Sequence, residues 1–170
     1  MMKILVMYSS LTGNTAKVAA AIHTALPSGS VLAKITPQLD MRNYDLIFAG
    51  FWVDKGTADQ AAKTALLGLQ NKKVALFATL GAAPNTIHAQ NCLQEAAALL
   101  HESNTLLGSY YCQGKIDPQL LERFKSLPAD HPHALTPEAT ARHQAAATHP
   151  DAADLQAAGI FAKNILAKLL

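Results

Sequence analysis

The chain has 170 residues, of which 50% are apolar and 15% are charged, so it has room for one well-buried domain and little room for two. Its formal net charge of +2 is spread along the chain, which argues against a nucleic-acid-binding surface. It contains no signal-type leader and no stretch of about 18 apolar residues. We therefore expect a single domain over residues 1–170, located in the cytoplasm and without contact to a membrane.

Five apolar runs predict β-strands, over residues 3–8, 31–35, 45–51, 73–79 and 105–112. The third and fourth runs are almost continuously apolar, which is typical of strands buried on both faces. Helical spacing of apolar residues predicts a first helix that ends at Leu26, another after Thr86, and a last one over residues 155–170. Prolines between residues 127 and 150 predict short helices separated by extended breaks. The alternation of strands and helices favours a parallel sheet with right-handed crossovers.

A turn rich in hydroxyl groups leads from the first predicted strand directly into the first helix. It consists of Ser10, Leu11, Thr12, Gly13, Asn14 and Thr15. Such a turn directs several backbone N–H groups and the positive end of the helix dipole at one point. The hydroxyls of Ser10, Thr12 and Thr15 can add donors. Gly13 permits a positive φ, and Asn14 is the predicted cap of the helix. The turn therefore predicts a site for a terminal phosphate monoester.

Two common phosphate-binding patterns are absent from this turn. The first lysine after Gly13 is Lys17, inside the helix, so the lysine of a nucleoside-triphosphatase loop has no counterpart, and the dinucleotide fingerprint Gly-x-Gly-x-x-Gly is missing. A phosphate held by hydroxyl and amide groups alone suits a ligand that is bound and kept. The turn resembles the first loop of the flavodoxin family, which reads Ser/Thr-x-Thr-Gly-Asn-Thr and holds the phosphate of flavin mononucleotide (FMN).

The resemblance implies the arrangement of the whole chain. It implies a flavodoxin-like three-layer α/β sandwich, with a five-stranded parallel sheet in the order 2-1-3-4-5. In that order a ligand lies at the carboxyl ends of the strands, beside strand one. The loops after the third and fourth predicted strands should then flank the flavin ring.

The loop after the third strand contains the single tryptophan of the chain. Flavodoxins commonly place a tryptophan here, and an indole offers the flavin ring a large, rigid face. The alternative is that Trp52 or Phe51 closes the edge of the core. In the family, a flexible peptide of this loop accepts a hydrogen bond from the ring on reduction, and Gly56 is the candidate, in a turn with Asp54 and Lys55. The implied cofactor-binding residues are Phe51, Trp52, Val53, Asp54 and Gly56.

The loop after the fourth strand takes the place of the second ring-binding loop of the family. The implied contacts are Thr79, Leu80, Gly81 and Ala82, whose small residues let the backbone approach the ring. The family's Gly-x-Gly-Asp and its stacking tyrosine are absent, so one face of the flavin is predicted to be open or covered by Leu80 or a partner.

The remaining polar and sulfur residues give weaker signals. Two interpretations fit the loop over residues 112–115, on the ligand side of the sheet: a simple exit loop, which we favour, and a segment that approaches the rim of the cofactor. We expect no metal site at His131 and His133, and no catalytic constellation, because neither a suitable ligand set nor a nucleophile with its base is present. Cys92 and Cys112 lack the spacing of a zinc or redox motif, and we expect two packed thiols.

The resemblance implies an electron carrier that binds FMN non-covalently, receives electrons from a reductase and passes them to an acceptor enzyme. It also favours a monomer and a divergent bacterial branch of the family. Flavodoxins are usually acidic, whereas residues 1–85 carry eight Lys and Arg against four Asp and Glu, so the redox partners should present a different face.

Two other functions share the predicted strand order. A small NAD(P)H-dependent FMN quinone or azo reductase is the main alternative, although such enzymes usually have longer loops. A response regulator would need acidic residues after strand one, where this chain has Tyr8, Ser9 and Ser10.

Lys55 generates a prediction about the electrostatics of the cofactor. If Lys55 faces the flavin, its ammonium group favours the anionic reduced form and raises the reduction potential; the alternative is a solvated lysine beside Asp54. On the first interpretation, Lys55→Glu lowers the potential of the final reduction step in a redox titration. An unchanged reduction potential would support the alternative interpretation, in which Lys55 is solvated and does not face the flavin.

Overall fold

Residues 2–169, the part of the chain that the computed structural model describes, form six strands and six helices. The strands are β1 (Ile4–Tyr8), β2 (Val31–Lys34), β3 (Leu46–Asp54), β4 (Thr57–Ala58), β5 (Lys73–Leu80) and β6 (Thr105–Gln113). The helices are α1 (Asn14–Thr24), α2 (Gln60–Leu67), α3 (Ile87–Ala97), α4 (Pro118–Lys125), α5 (Pro137–Ala146) and α6 (Ala152–Ala167). Leu170, the predicted end of the last helix, lies outside the described residues, as does Met1.

The sheet confirms the predicted strand order. Its path is β2-β1-β3-β5-β6, and every neighbouring pair on this path is parallel. Since β4 lies off the path, the five parallel strands follow the order 2-1-3-4-5. The switch point lies between β1 and β3, where Tyr8 is in register with Gly50.

Alternating side chains of the central strands supply two cores, one on each face of the sheet. In β1, Ile4 and Val6 pack with α1 and α6, whereas Leu5 and Met7 pack with α2 and α3. All four of these side chains are buried, because the strand is covered by helices on both sides. The three-layer sandwich is therefore confirmed.

β3 continues three residues beyond its predicted end at residue 51, and the chain then turns back to pair with it. Val53 and Asp54 pair antiparallel with Ala58 and Thr57 of β4, so the predicted loop is the tip of a β-hairpin. The turn residues Lys55 and Gly56 have positive φ angles of 50° and 82°, as two-residue hairpin turns require. The turn at Asp54, Lys55 and Gly56 is confirmed, but Trp52 belongs to a strand rather than a loop.

The segment between β6 and α6 holds two short helices, of which α5 lies in the stretch where the prolines predict short helices and α4 precedes that stretch. Pro118 and Pro137 occupy the first turns of α4 and α5. α4 contributes no buried residue, and α5 contributes only Ala139 and Ala146. Residues 115–150 therefore form an excursion from the sheet rather than part of its cover, and the sequence analysis did not foresee this additional length.

Gly50 generates a prediction about packing. A Cβ atom at Gly50 would lie 2.1 Å from Cζ of Phe77, whereas one at Gly68 would lie 3.5 Å from the nearest atom, the carbonyl oxygen of Ala65. Gly50→Ala should therefore lower the free energy of unfolding by about 1–3 kcal/mol. The matched control Gly68→Ala should change it by less than about 0.5 kcal/mol. Urea unfolding measures both, and equal midpoints for the two variants would contradict the packing described here.

Candidate functional site

Within residues 2–169, the buried polar side chains gather at the carboxyl ends of the parallel strands. They are Ser9, Thr15, Asp59, Thr79 and Gln113. Burial of a polar group without a partner costs several kcal/mol in an apolar core, and each of these five has at least one hydrogen-bond partner. The carboxyl edge is therefore the place where the fold departs from an apolar interior, and the three predicted loops meet there.

The first loop reaches α1 through Gly13, which is the N-cap and has a φ of 93°. Ser10 Oγ accepts hydrogen bonds from Gly13 N at 3.1 Å and from Ala16 N at 3.4 Å. Because a hydroxyl that accepts still carries its own hydrogen, Ser10 remains able to donate. The side chains of Leu11 and Thr12 are exposed.

The N-terminus of α1 differs from those of the other five helices of the described chain. Each of the others has a side chain that accepts from its first-turn amides: Asp59, Thr86, Asp117, Thr136 and Asp151. α1 has no cap from its N-cap residue and no acidic residue in its first turn; its one side-chain acceptor is Ser10 Oγ, which lies in the preceding loop and takes the amide of Ala16. The amides of Asn14 and Thr15 can therefore bind an anionic acceptor from outside the helix.

The predicted cap at Asn14 is wrong, because Gly13 occupies the N-cap and Asn14 is the first residue of the helix. Asn14 Nδ2 instead donates to the backbone oxygen of Lys115 at 2.8 Å. A Cβ atom at Gly114 would lie 2.7 Å from the same Nδ2 atom, so the glycine makes room for this contact. The first loop is thereby tied to the loop that follows β6.

Thr15 and Thr79 form a buried hydroxyl pair, with 2.8 Å between their Oγ1 atoms. The pair uses one of its two hydroxyl hydrogens in this contact, so one remains for another acceptor. Trp52 is the register partner of Thr79, and side chains of register partners point to the same face of a sheet. The side chain of Trp52 therefore lies on the α1 side, with Thr15 and Thr79.

The hairpin separates the residues predicted for the second loop. Phe51 is fully buried in the core under α2 and α3, and only its backbone remains for a ligand. Trp52 is half-buried, and so are Asp54 and Gly56 near the hairpin tip. Val53 packs partly against the same core as Phe51. Of the two aromatic residues, Phe51 is the one that closes the core.

Hydrogen bonds from Gln113 and Gly114, at the end of β6, hold the third loop. Leu80 is buried, so its side chain offers no open face, and its carbonyl accepts from Gly114 N at 2.9 Å. Gln113 Nε2 donates to the carbonyl of Gly81 at 3.2 Å. Ala82 is half-buried. The exit of β6, which the sequence analysis took for a simple exit loop, is therefore in contact with two of the three predicted loops.

Sequence reasoning missed Ser9 and Asp59, and it considered Gln113 only as part of a loop that could approach the cofactor rim. Ser9 follows the apolar run of β1, and Gln113 ends β6. A polar residue directly at the carboxyl end of a buried parallel strand was the available signal, because this edge is where such sheets place their sites.

The prediction of two packed thiols is confirmed, because both cysteines are free and buried. Burial raises the pKa of the Cys112 thiol to about 12, with the nearby Asp154 carboxylate as a further cause. Burial also raises the pKa of the Cys92 thiol. Both thiols are therefore neutral at physiological pH and poor nucleophiles.

His149, Asp151 and Asp154 are close enough to hold a metal ion. The two carboxylates, however, form the capping box of α6, with Asp154 N donating to Asp151 and Asp151 N donating to Asp154. His149 Nδ1 also lies 2.5 Å from Asp154 Oδ2. Helix capping accounts for this cluster. His133 stacks on Phe124, and the ring of His131 lies beside that of His133.

A family model described as Flavodoxin domain matches residues 5–163. The chain belongs to the flavodoxin family. Among curated proteins, the flavodoxin-like domain-containing protein BilS of Clostridioides difficile (strain CD3) is 36% identical over 174 aligned positions. The alignment covers 98% of this chain and 98% of that protein. The family assignment thus rests on almost the whole chain.

Solved structures of flavodoxins share the fold. Oxidised Flavodoxin 2 from Bacillus cereus matches with a TM-score of 0.62 and 20% identity, over 98% of this chain and 99% of that one. A flavoprotein from Lactobacillus acidophilus NCFM in complex with FMN matches with a TM-score of 0.52 and 20% identity, over 72% of this chain and 98% of that one. Within residues 2–169, no helix has the length and apolar character needed to cross a bilayer.

The pair of buried threonines generates a prediction about this flavodoxin. Thr15→Val or Thr79→Val leaves the other hydroxyl buried without its partner and should lower the free energy of unfolding by about 1–3 kcal/mol. The free energy of unfolding of the double variant should fall by less than the sum of the two single losses, because both polar groups are removed together. Urea unfolding of the three variants measures this, and strictly additive losses would contradict a direct contact between the hydroxyls.

Proposed function

We propose that the protein binds FMN at its carboxyl edge and carries electrons from a reductase to an acceptor enzyme. The observation that carries the proposal is the N-terminus of α1, where, alone among the described helices, the N-cap residue has no side chain that accepts from the first-turn amides. Membership of the flavodoxin family and the FMN bound to the Lactobacillus flavoprotein support it. Bound FMN would supply the electron storage, and the chain would bind and orient it.

The donors of the first loop fit a phosphate monoester. The amides at the start of α1 have no carboxylate to compete for them, and the hydroxyls of Ser10 and Thr12 lie in the same loop. One spare hydroxyl hydrogen of the Thr15–Thr79 pair is a further donor at the base of the loop. The helix dipole adds to this set, so a dianionic phosphate can be held without an arginine.

The ring-binding residues of the proposal come from the hairpin and the third loop. Trp52 is half-buried on the side of the sheet where α1 begins, and its indole is suited to cover one face of a flat ring. Gly56 at the hairpin tip gives that turn the freedom to reorient a peptide group. In this proposal, Ala82 and the backbone of Gly81 would contact the ring from the third loop. The other proposed contacts are Leu11, Gly13, Asn14, Phe51, Val53, Asp54, Thr79 and Leu80.

Exposed lysines around this edge suggest the charge of the redox partners. Lys34 ends β2, Lys55 occupies the hairpin tip, Lys115 follows β6, and Lys17 lies in the first turns of α1; all four are exposed. The ion pairs found among residues 2–169 involve none of these four. We propose that the donor and acceptor proteins present acidic groups to this edge, which would steer the encounter at low ionic strength.

A small NAD(P)H-dependent FMN quinone or azo reductase stays as the second candidate because of the excursion over residues 115–150. It starts at the carboxyl edge, where Lys115 N donates to the carbonyl of His149, and its helices hardly contribute to the core. This additional length could form the wall of a substrate pocket, which the sequence analysis did not expect.

A binding titration tests the proposed FMN site, and two redox measurements distinguish the two functions. Titration of the purified protein with FMN should give a tight complex, and Trp52→Leu should weaken it about tenfold, because the leucine lacks a flat aromatic face. Leu67→Ala, an exposed position on α2, is the control. Stepwise anaerobic reduction in two resolved one-electron steps would support the carrier. NADPH oxidation with a quinone, without any added reductase, would support the enzyme instead. A protein that does not bind FMN would contradict both.

A further inference from the structure

Asp59 is a buried carboxylate in contact with two parts of the proposed FMN site. It follows β4 and caps α2, where its Oδ1 accepts from Ala61 N at 3.1 Å and from Ala62 N at 3.4 Å. The same oxygen accepts from Ser9 Oγ at 2.8 Å, and the Asp59 N–H donates to the carbonyl of Trp52. One residue is therefore bonded to the start of the first loop and to the strand that carries the tryptophan.

Ser9, the partner of Asp59, is fixed by a backbone hydrogen bond to β3. Its N–H donates to the carbonyl of Gly50 at 2.9 Å, so it continues the pairing of β1 with β3 by one residue. It directly precedes Ser10, the first residue of the phosphate loop. Ser9 is 9% exposed and Asp59 is 4% exposed, so water competes little for their hydrogen bond.

Helix capping does not account for the burial of Asp59. α4 has eight residues, as α2 has, and is capped by an aspartate too, but Asp117 is half-buried and accepts only from Gln119 N. Asp59 instead has one oxygen with three donors, while Oδ2 is buried and has no partner among residues 2–169. An N-cap contributes about 0.5–2 kcal/mol. Desolvation of a buried carboxylate costs more free energy than an N-cap contributes, so capping alone does not compensate for the burial of Asp59.

We propose that Asp59 is a positioning residue for FMN: through Ser9 it holds the phosphate loop at a set distance from the hairpin that carries Trp52. This inference rests on the proposed function. FMN must contact both the loop and the hairpin, so its affinity depends on their separation. Riboflavin has the same ring and no phosphate, so it needs the hairpin but not the phosphate loop. Loss of the hydrogen bond between Ser9 and Asp59, the link between loop and hairpin, should therefore weaken the binding of FMN more than the binding of riboflavin.

Flavin titrations of four proteins test the proposal, with flavin fluorescence as the signal. They are the unmodified protein, Ser9→Ala, Asp59→Asn and the control Asp117→Asn. The Kd for FMN should rise about tenfold in Ser9→Ala and Asp59→Asn, equivalent to about 1.4 kcal/mol. The Kd for riboflavin should change less than about twofold in both. Asp117→Asn, which changes a cap of the same type away from the link, should affect neither ligand.

The double variant Ser9→Ala/Asp59→Asn gives an independent result where riboflavin binds too weakly to be measured. Because one link joins the two residues, its Kd for FMN should equal that of the weaker single variant. Additive losses in the double variant, equal losses for FMN and riboflavin, or unchanged FMN binding would each overturn the proposal. Failure of the unmodified protein to bind FMN would instead overturn the proposed function. Thermal unfolding without flavin identifies any variant that does not fold.

Discussion

A parallel sheet that is buried on both faces constrains everything else in this protein. Each strand must return through a connection that covers one face, and where that connection is a helix the helix begins at the carboxyl edge of the sheet. The N-termini of α1, α2 and α3 therefore meet at one edge, with their dipoles directed towards it. The same edge is the only part of the described interior where polar side chains are buried.

The loops at this edge are supported by one another. The first loop is bonded to the exit of β6 through Asn14, to β5 through Thr15 and to α2 through Ser9. The third loop is bonded to β6 through Gly81. Such contacts order the site before a ligand arrives, so less of the binding free energy is lost in ordering loops.

Two features of this chain lie at or beside the carboxyl edge and outside the core. The edge carries exposed lysines, which would favour acidic groups on any protein that docks there. An excursion over residues 115–150 also leaves the sheet beside the site. Both features lie outside the core, where a change in sequence costs little stability and a partner can still recognise it.

The sequence by itself determined which strands are buried on both faces and where a hydroxyl-rich turn leads into α1, because apolar periodicity and a six-residue turn are local signals that do not depend on distant contacts. The strand order followed from the resemblance of that turn to the flavodoxin family. The sequence could not determine which side chains the edge brings together. Asn14 was expected to cap its own helix, yet its partner is Lys115, about a hundred positions away along the chain.

The sequence shows Asp59 only as a possible helix cap, and its hydrogen bond with Ser9 is apparent only in the tertiary structure. The face to which Trp52 points depends on how far β3 continues, and this was decided by pairing with β4 and β5. Such contacts are set by the packing of strands that are distant in sequence, which only the tertiary structure decides.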